Sequence, residues 1–227
     1  MKKQLLVLAL LLTAARLPAA LVVSQTFDYS GQPGGGTTIV AGDPVGVAVQ
    51  GDFEAAAPGQ LISGISIGLN LAGGYNGDYY AWLQSPDGTT ITLLDQPGSD
   101  MFGSPAAGFG NGAANSFVLS SSGIVNIQGV EGTYGSAVTG TYAAAGNLGA
   151  FASPSSPSQN GNGMWTLYFD NLGSGGGDGF LKSWTINETI LSAPEPPYVV
   201  ASIVLLAAFV GVARSDRRPP RDEPESE

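Results

Sequence analysis

Between Leu61 and Leu71 the chain alternates with a period of two, placing Ile65, Ile67, Leu69 and Leu71 on one side and small or polar residues on the other. Successive side chains of a strand point to opposite faces, so this pattern specifies a strand with one buried face. Tyr79-Tyr80-Ala81-Trp82-Leu83-Gln84 is aromatic-rich, as strands prefer, and runs into Ser85-Pro86-Asp87-Gly88, whose Pro and Gly suit a tight turn. Thr89–Asp95 reads as the returning strand, so 79–95 forms a hairpin. Met164–Asp170 and Phe180–Ile190 read as a second pair joined by Leu172–Gly179. Shorter strands are expected at Gly46–Val49, Ser116–Leu119 and Gly123–Gln128, with long loops over 98–115 and 143–163. Many short strands with glycine-rich turns specify an all-β chain, a jelly-roll-like β-sandwich.

The chain has neither cysteine nor histidine. Disulfides and thiolate metal sites are excluded, and with them the Ser-His-acid triad, histidine zinc sites and the usual neutral-pH base. Between Arg16 and Arg214 the sole cation is Lys182, set against thirteen acids from Asp28 to Glu195, a net charge of −12. No basic surface exists there for phosphates, so nucleic acid is not an expected partner. Roughly 170 residues separate the two ends of the chain, enough for one domain with its own core.

The remaining cations cluster at the ends, each group beside an apolar run: Lys2, Lys3 and Arg16 around Leu5–Leu12, and four arginines after Tyr198–Ala213. Positive residues stay on the cytoplasmic side of a membrane while the intervening chain crosses it. Residues 1–24 read as a secretory signal peptide, with cleavage after Ala20 or Ser24. Residues 25–191 then form the exported domain. The uncharged run 198–213 would make a single C-terminal transmembrane helix of ~24 Å, short of a ~30 Å hydrocarbon layer unless Tyr198 and the arginines reach the interfaces. Pro194-Glu195-Pro196, this short helix, and Arg214, Arg217, Arg218 and Arg221 together resemble the PEP-CTERM sorting signal of Gram-negative bacteria, here over 192–221. The resemblance implies a membrane-anchored precursor, an exosortase-type processing enzyme as partner, and a destination at the cell surface or in extracellular matrix. The acidic tail 222–227 departs from a family that usually stops at its basic cluster.

A second resemblance covers about Leu61–Ile190. Gly74-Tyr75-Asn76-Gly77-Asp78-Tyr79-Tyr80-Ala81-Trp82-Leu83-Gln84-Ser85-Pro86-Asp87-Gly88-Thr89 is similar to the front half of the proprotein convertase P (P/Homo B) domain. Gly163-Met164-Trp165-Thr166-Leu167-Tyr168-Phe169-Asp170 resembles its Gly-x-Trp-x-Leu strand ending in Asp, and Gly179-Phe180-Leu181-Lys182-Ser183-Trp184 its closing strand. Gly140-Thr141-Tyr142 and Leu148–Phe151 fit the stretch between. Tyr79 replaces the family's leucine, alanine replaces its proline after Gly-x-Tyr, and 103–115 matches nothing in the pattern. The resemblance implies a jelly-roll sandwich and a non-catalytic module. No protease domain accompanies it here, so function has to be argued from the site.

Some P domains bind calcium, and Asp78 and Asp170 match the family's acidic motif positions. Asp95, Asp100 and Asp178 also fall at strand ends or loops. Calcium needs six to eight oxygens, whereas an aspartate at a strand end also caps turns by itself. Trp82, Trp165 and Trp184 suit either a sugar-stacking platform or the sandwich core, and their place in alternating strands favours the core. Gly173–Gly179 lies between strands, so it reads as a hairpin loop without the helix N-terminus a phosphate loop needs. Asn187-Glu188-Thr189 fits a glycosylation acceptor. The expectation is a non-enzymatic surface or matrix protein, with extracellular polysaccharide as a partner. The alternatives are a calcium-dependent carbohydrate- or protein-binding module and, behind it, a glycosidase built on two carboxylates.

Overall fold

The computed structural model describes residues 20–54, 61–98, 114–130, 136–152 and 161–191. Ten strands among them form two sheets: β1 (Ala20–Asp28), β2 (Thr37–Ile39), β3 (Asp43–Phe53), β4 (Leu61–Gly73), β5 (Tyr79–Gln84), β6 (Thr90–Asp95), β7 (Asn115–Ser120), β8 (Thr139–Tyr142), β9 (Gly163–Asn171) and β10 (Gly179–Leu191). One sheet runs β1-β10-β4-β7-β8, with β2 also on β10; the other runs β3-β9-β5-β6. All pairings are antiparallel except β7 with β8.

The alternation read between 61 and 71 is the register of β4. Ile65, Ile67, Leu69 and Leu71 are all buried, and across the sandwich they share one cluster with Tyr79, Ala81, Leu83, Leu167 and Phe169. Inward side chains of both sheets thus make the single core of an all-β sandwich. The 79–95 hairpin forms as its turn chemistry requires. Gly88 takes φ +85°, and its N–H donates to Ser85 O at 2.9 Å.

Met164–Asp170 and Phe180–Ile190 do not pair with each other. β9 lies between β3 and β5, whereas β10 lies between β1 and β4 in the opposite sheet. The segment Leu172–Gly179 is therefore a crossover between layers and not a hairpin loop. Each strand carries one inward tryptophan, Trp165 and Trp184, and the two rings fill the core from different sheets. Gly123–Gln128 is also no strand: it holds one isolated bridge, Asn126 to Ala143, and leads into a 3-10 turn at Ile127–Gly129. Asn126 caps that turn by accepting from Gln128 N–H at 2.9 Å, a local bond that competes with sheet pairing.

β1 begins at Ala20, opposite Leu191, five residues before the expected start of the domain. Residues 1–19 and 192–227 lie outside the described residues. So do the sorting motif Pro194, Glu195 and Pro196, the 198–213 segment, and Arg214, Arg217, Arg218 and Arg221. Among the described residues no helix is long and apolar enough to cross a membrane.

Candidate functional site

Gly73 and Gly74, at φ +74° and +59°, end β4 and turn the chain across to the other sheet. A 3-10 turn at Asn76–Asp78 follows, its three residues buried, and β5 starts at Tyr79. Leu172 N–H donates to Asp78 O at 2.9 Å, so the β5–β9 ladder extends one bond beyond the strands. This places Asn76 and Asp78 at the same end of the four-stranded sheet as Asp170 and Asn171. Asn171 sits opposite Tyr79 and Asp170 opposite Tyr80.

All four side chains are buried, Asn76 and Asn171 completely. Tyr79 Oη–H is satisfied by Gly73 O at 2.9 Å, and Asn171 Nδ2 donates to Gly177 O at 3.0 Å. Five polar atoms have no protein partner: Asn76 Nδ2 and Oδ1, Asp78 Oδ2, Asp170 Oδ1 and Asn171 Oδ1. Buried polar groups are ordinarily bonded, so these exceptions make this end of the sheet the candidate site.

Glycines give these carboxyls their room. A Cβ on Gly173 would stand 1.9 Å from Asp78 Oδ2, and one on Gly46 would stand 1.6 Å from Asp170 Oδ1. Burial raises both acids above the ordinary carboxylate range, and Asp43 raises Asp170 further. Burial, followed by the Asp78 charge, pushes the Tyr79 phenol well above its usual value.

The two motif aspartates therefore share one end of the sheet but occupy different settings. Asp170 answers electrostatically to Asp43 across β3, whereas Asp78 faces the Gly173 backbone. Among the described residues no three acidic side chains gather as a metal-binding group. A cation here would take the free oxygens of Asn76 and Asp78 together with backbone carbonyls, a donor set suited to calcium.

The other expected acids are employed elsewhere. Asp178 Oδ1 accepts from Ala41 N–H at 3.0 Å, fixing the crossover loop against the segment after β2. Asp95 is exposed, and its backbone is clamped on both sides by the Gln128 amide. Asp100 lies outside the described residues. Two of the three tryptophans are core residues: Trp165 and Trp184 are at most 1% exposed. Trp82 is not; it projects from the outward face of β5 and stacks on Tyr168.

One polar residue escaped the sequence reading. Glu188 is fully buried, both carboxyl oxygens lack partners, and burial pushes its pKa up to about 8. In β10 it alternates with Trp184, Ile186 and Ile190 on the inward face. Period two alone would have placed it inside.

No family model matches the chain, and no curated protein does. Solved structures do, among them the serine protease of Aeromonas sobria in complex with its chaperone, at 14% identity and TM-score 0.46, and the same protease alone, at 14% and 0.43. Each alignment covers 82% of this chain, which spans 29% of the length of the protease chain.

Proposed function

We propose that this chain is a non-enzymatic exported protein whose P-domain-like sandwich is delivered to the cell surface or extracellular matrix through an exosortase-type sorting signal. The observation that supports it most is the charge distribution. Seven of eight cations lie within the first 16 or last 14 residues, each group beside an apolar run, and a lone lysine serves everything between. The sandwich is consistent with export, because it needs no disulfide and packs its core from both sheets.

Of the two cleavage sites, the register of β1 supports the one after Ala20. A cut after Ser24 would delete five of the nine residues of β1, whereas a cut after Ala20 leaves the strand almost whole against β10. The mature protein is expected to begin at Leu21 and to end upstream of the arginine cluster. Intact mass of the protein recovered from its host reads both ends at once. Full-length chain in the cytosol, uncut and unattached, would overturn the proposal.

The unpartnered oxygens of Asn76 and Asp78 favour a second reading, in which calcium stabilises this end of the sandwich. A ligand that binds only the folded state adds roughly 2.7 kcal/mol at a hundredfold excess over its dissociation constant. Thermal unfolding in millimolar calcium should then lie several degrees above unfolding in chelator, and Asp78→Asn should abolish the difference. Identical midpoints would remove calcium from the account.

A further inference from the structure

We propose that the outward face of the four-stranded sheet is a docking surface for a neutral polysaccharide chain. This deepens the surface role proposed above, but its assay on purified protein is independent of whether the sorting signal is processed.

Alternation along β5 and β9 turns Tyr80, Trp82 and Gln84 outward beside Thr166, Tyr168 and Asp170. Trp82 and Tyr168 are cross-strand partners whose rings lie parallel, 4.8 Å apart with a 7° interplanar angle. Tyr80 tilts against Trp82 at 5.5 Å. All three rings are half-buried, held by each other and by the sheet while still reaching solvent. The strands on either side offer only small neighbours: Ala48 of β3 opposite Tyr168, and Thr92 of β6 opposite Trp82. Among the described residues no bulky cross-strand partner covers the outer flanks of the stacked pair.

The rim of this strip is polar. Gln50 Nε2 donates to Thr166 Oγ1 at 3.4 Å and Gln84 Nε2 to Thr90 Oγ1 at 3.5 Å, long bonds that a ligand hydroxyl could replace with better ones. Fixed aromatic surface flanked by amide and hydroxyl groups is complementary to a sugar ring, whose C–H faces are apolar and whose edge is a ring of donors and acceptors.

Charge narrows the ligand. The stretch from Asp28 to Glu195 carries thirteen acids and one lysine, and Lys182 lies on β10 in the opposite sheet. Among the described residues a polyanion would meet repulsion and no cation at this face. A protein partner fits less well, because stable interfaces bury about 800 Å² per side around an apolar centre. Here the outward aliphatic contribution of β9 is Met164 alone, and the centre is edged by amides. A narrow, uncharged, hydroxyl-rich polymer matches what is present.

The test uses the full-length chain, purified in a polyoxyethylene detergent so that no sugar headgroup competes. Affinity electrophoresis through gels containing a β-glucan, an α-glucan or a galactomannan, with pull-down on cellulose and chitin, samples neutral polymers; alginate serves as the polyanion. Retardation or capture by at least one neutral polymer, and not by alginate, is expected. Trp82→Ala and Tyr168→Ala should each weaken it about tenfold or more. Ala48→Arg deletes no ring but crowds the flank of Tyr168, and should weaken binding comparably even if an aromatic deletion disturbs the sheet. Thr185→Ala, on the outward face of the other sheet, should bind as wild type. Binding to no neutral polymer, preference for alginate, or wild-type binding by both Trp82→Ala and Ala48→Arg would each overturn the proposal.

Discussion

At the Asp170 end of β9, four polar side chains are buried: Asn76, Asp78 and Asn171 close to the Gly74, Gly173 and Gly177 backbone, and Asp170 on the other face beneath Gly46. At the Gly163 end, Glu188 is the one buried acid among the described residues. Its cross-strand neighbours are Val23 on β1 and Ile65 on β4, and its carboxyl rests against Gly161, where a Cβ would lie 2.1 Å from Oε1. At that same glycine, Trp165 Nε1–H is committed to Gly161 O at 2.8 Å. The contrast shows that burial by itself does not make a carboxyl a ligand. Surrounded by other oxygens, an acid is a candidate partner for a cation; surrounded by hydrocarbon, it keeps its proton and becomes a polar member of the core.

The largest way to break this contrast is to titrate it. The unfolded carboxyl ionises near its ordinary 4.5, while folded Glu188 holds its proton until about 8. The unfolded state therefore binds fewer protons throughout that window. Stability is fully present below pH 4.5, falls as pH rises, and levels off above about 8. Linkage sets the size of the loss at roughly 5 kcal/mol. Glu188→Leu should flatten the profile and raise stability at pH 8 by a similar amount, leaving pH 4 nearly unchanged. Denaturant unfolding of both proteins across pH 4–9 checks it. A wild-type profile without that slope would mean that Glu188 has found a partner.

The other end is broken more gently, through its glycines. Gly173→Ala meets the Asp78 carboxyl as its three nearest atoms, whereas Gly46→Ala collides with Asp170 and, at 2.4 Å, with the backbone carbonyl of Phe169 as well. Gly46 also takes φ +65°, where alanine is strained. Each substitution should cost roughly 3 kcal/mol, but they should differ in rescue. In an Asp78→Ala background Gly173→Ala loses its obstacle, and its cost should fall to about 1 kcal/mol or less. Asp170→Ala should rescue Gly46→Ala little. Urea midpoints of the two double-mutant cycles decide, and equal rescue would show that the two aspartates occupy equivalent settings after all.

Much of this was legible in the residues, and what was not has a physical cause. Alternation placed β4, and the Pro-Asp-Gly turn placed the β5–β6 hairpin, because both signals are local. The partner of β9 was not local. Chain proximity suggested β10, and only the sheet order reveals that Leu172–Gly179 crosses between layers. β1 was concealed because Ala20–Ser24 adjoins an apolar leader-like run and reads as its continuation. At the candidate site, Asp78 and Asp170 could be named from motif positions, but Asn76 and Asn171, whose free atoms complete the cluster, carry no charge to attract notice. Trp82 shows the limit of alternation. The period says that Trp82 and Leu83 face opposite ways, but not which of the two faces is inward when aromatic residues occupy both.

The smallest expected effect concerns the residue joining the polar end to the core. Tyr79 is fully buried and packs edge-on against Phe169 at 6.0 Å, while its hydroxyl donates to Gly73 O, the carbonyl where β4 turns away. Tyr79→Phe keeps the ring and removes one donor. Gly73 O then loses that bond inside the protein, a change worth about 1 kcal/mol. Because Asp78 and Tyr79 are electrostatic neighbours, the substitution also tests whether the polar cluster depends on the core beneath it. A loss near that value, with any calcium response unchanged, would show that the phenol anchors the Gly73 turn and nothing more. A calcium response lost together with the hydroxyl would tie the two together, making the turn at Gly73 part of what shapes the site.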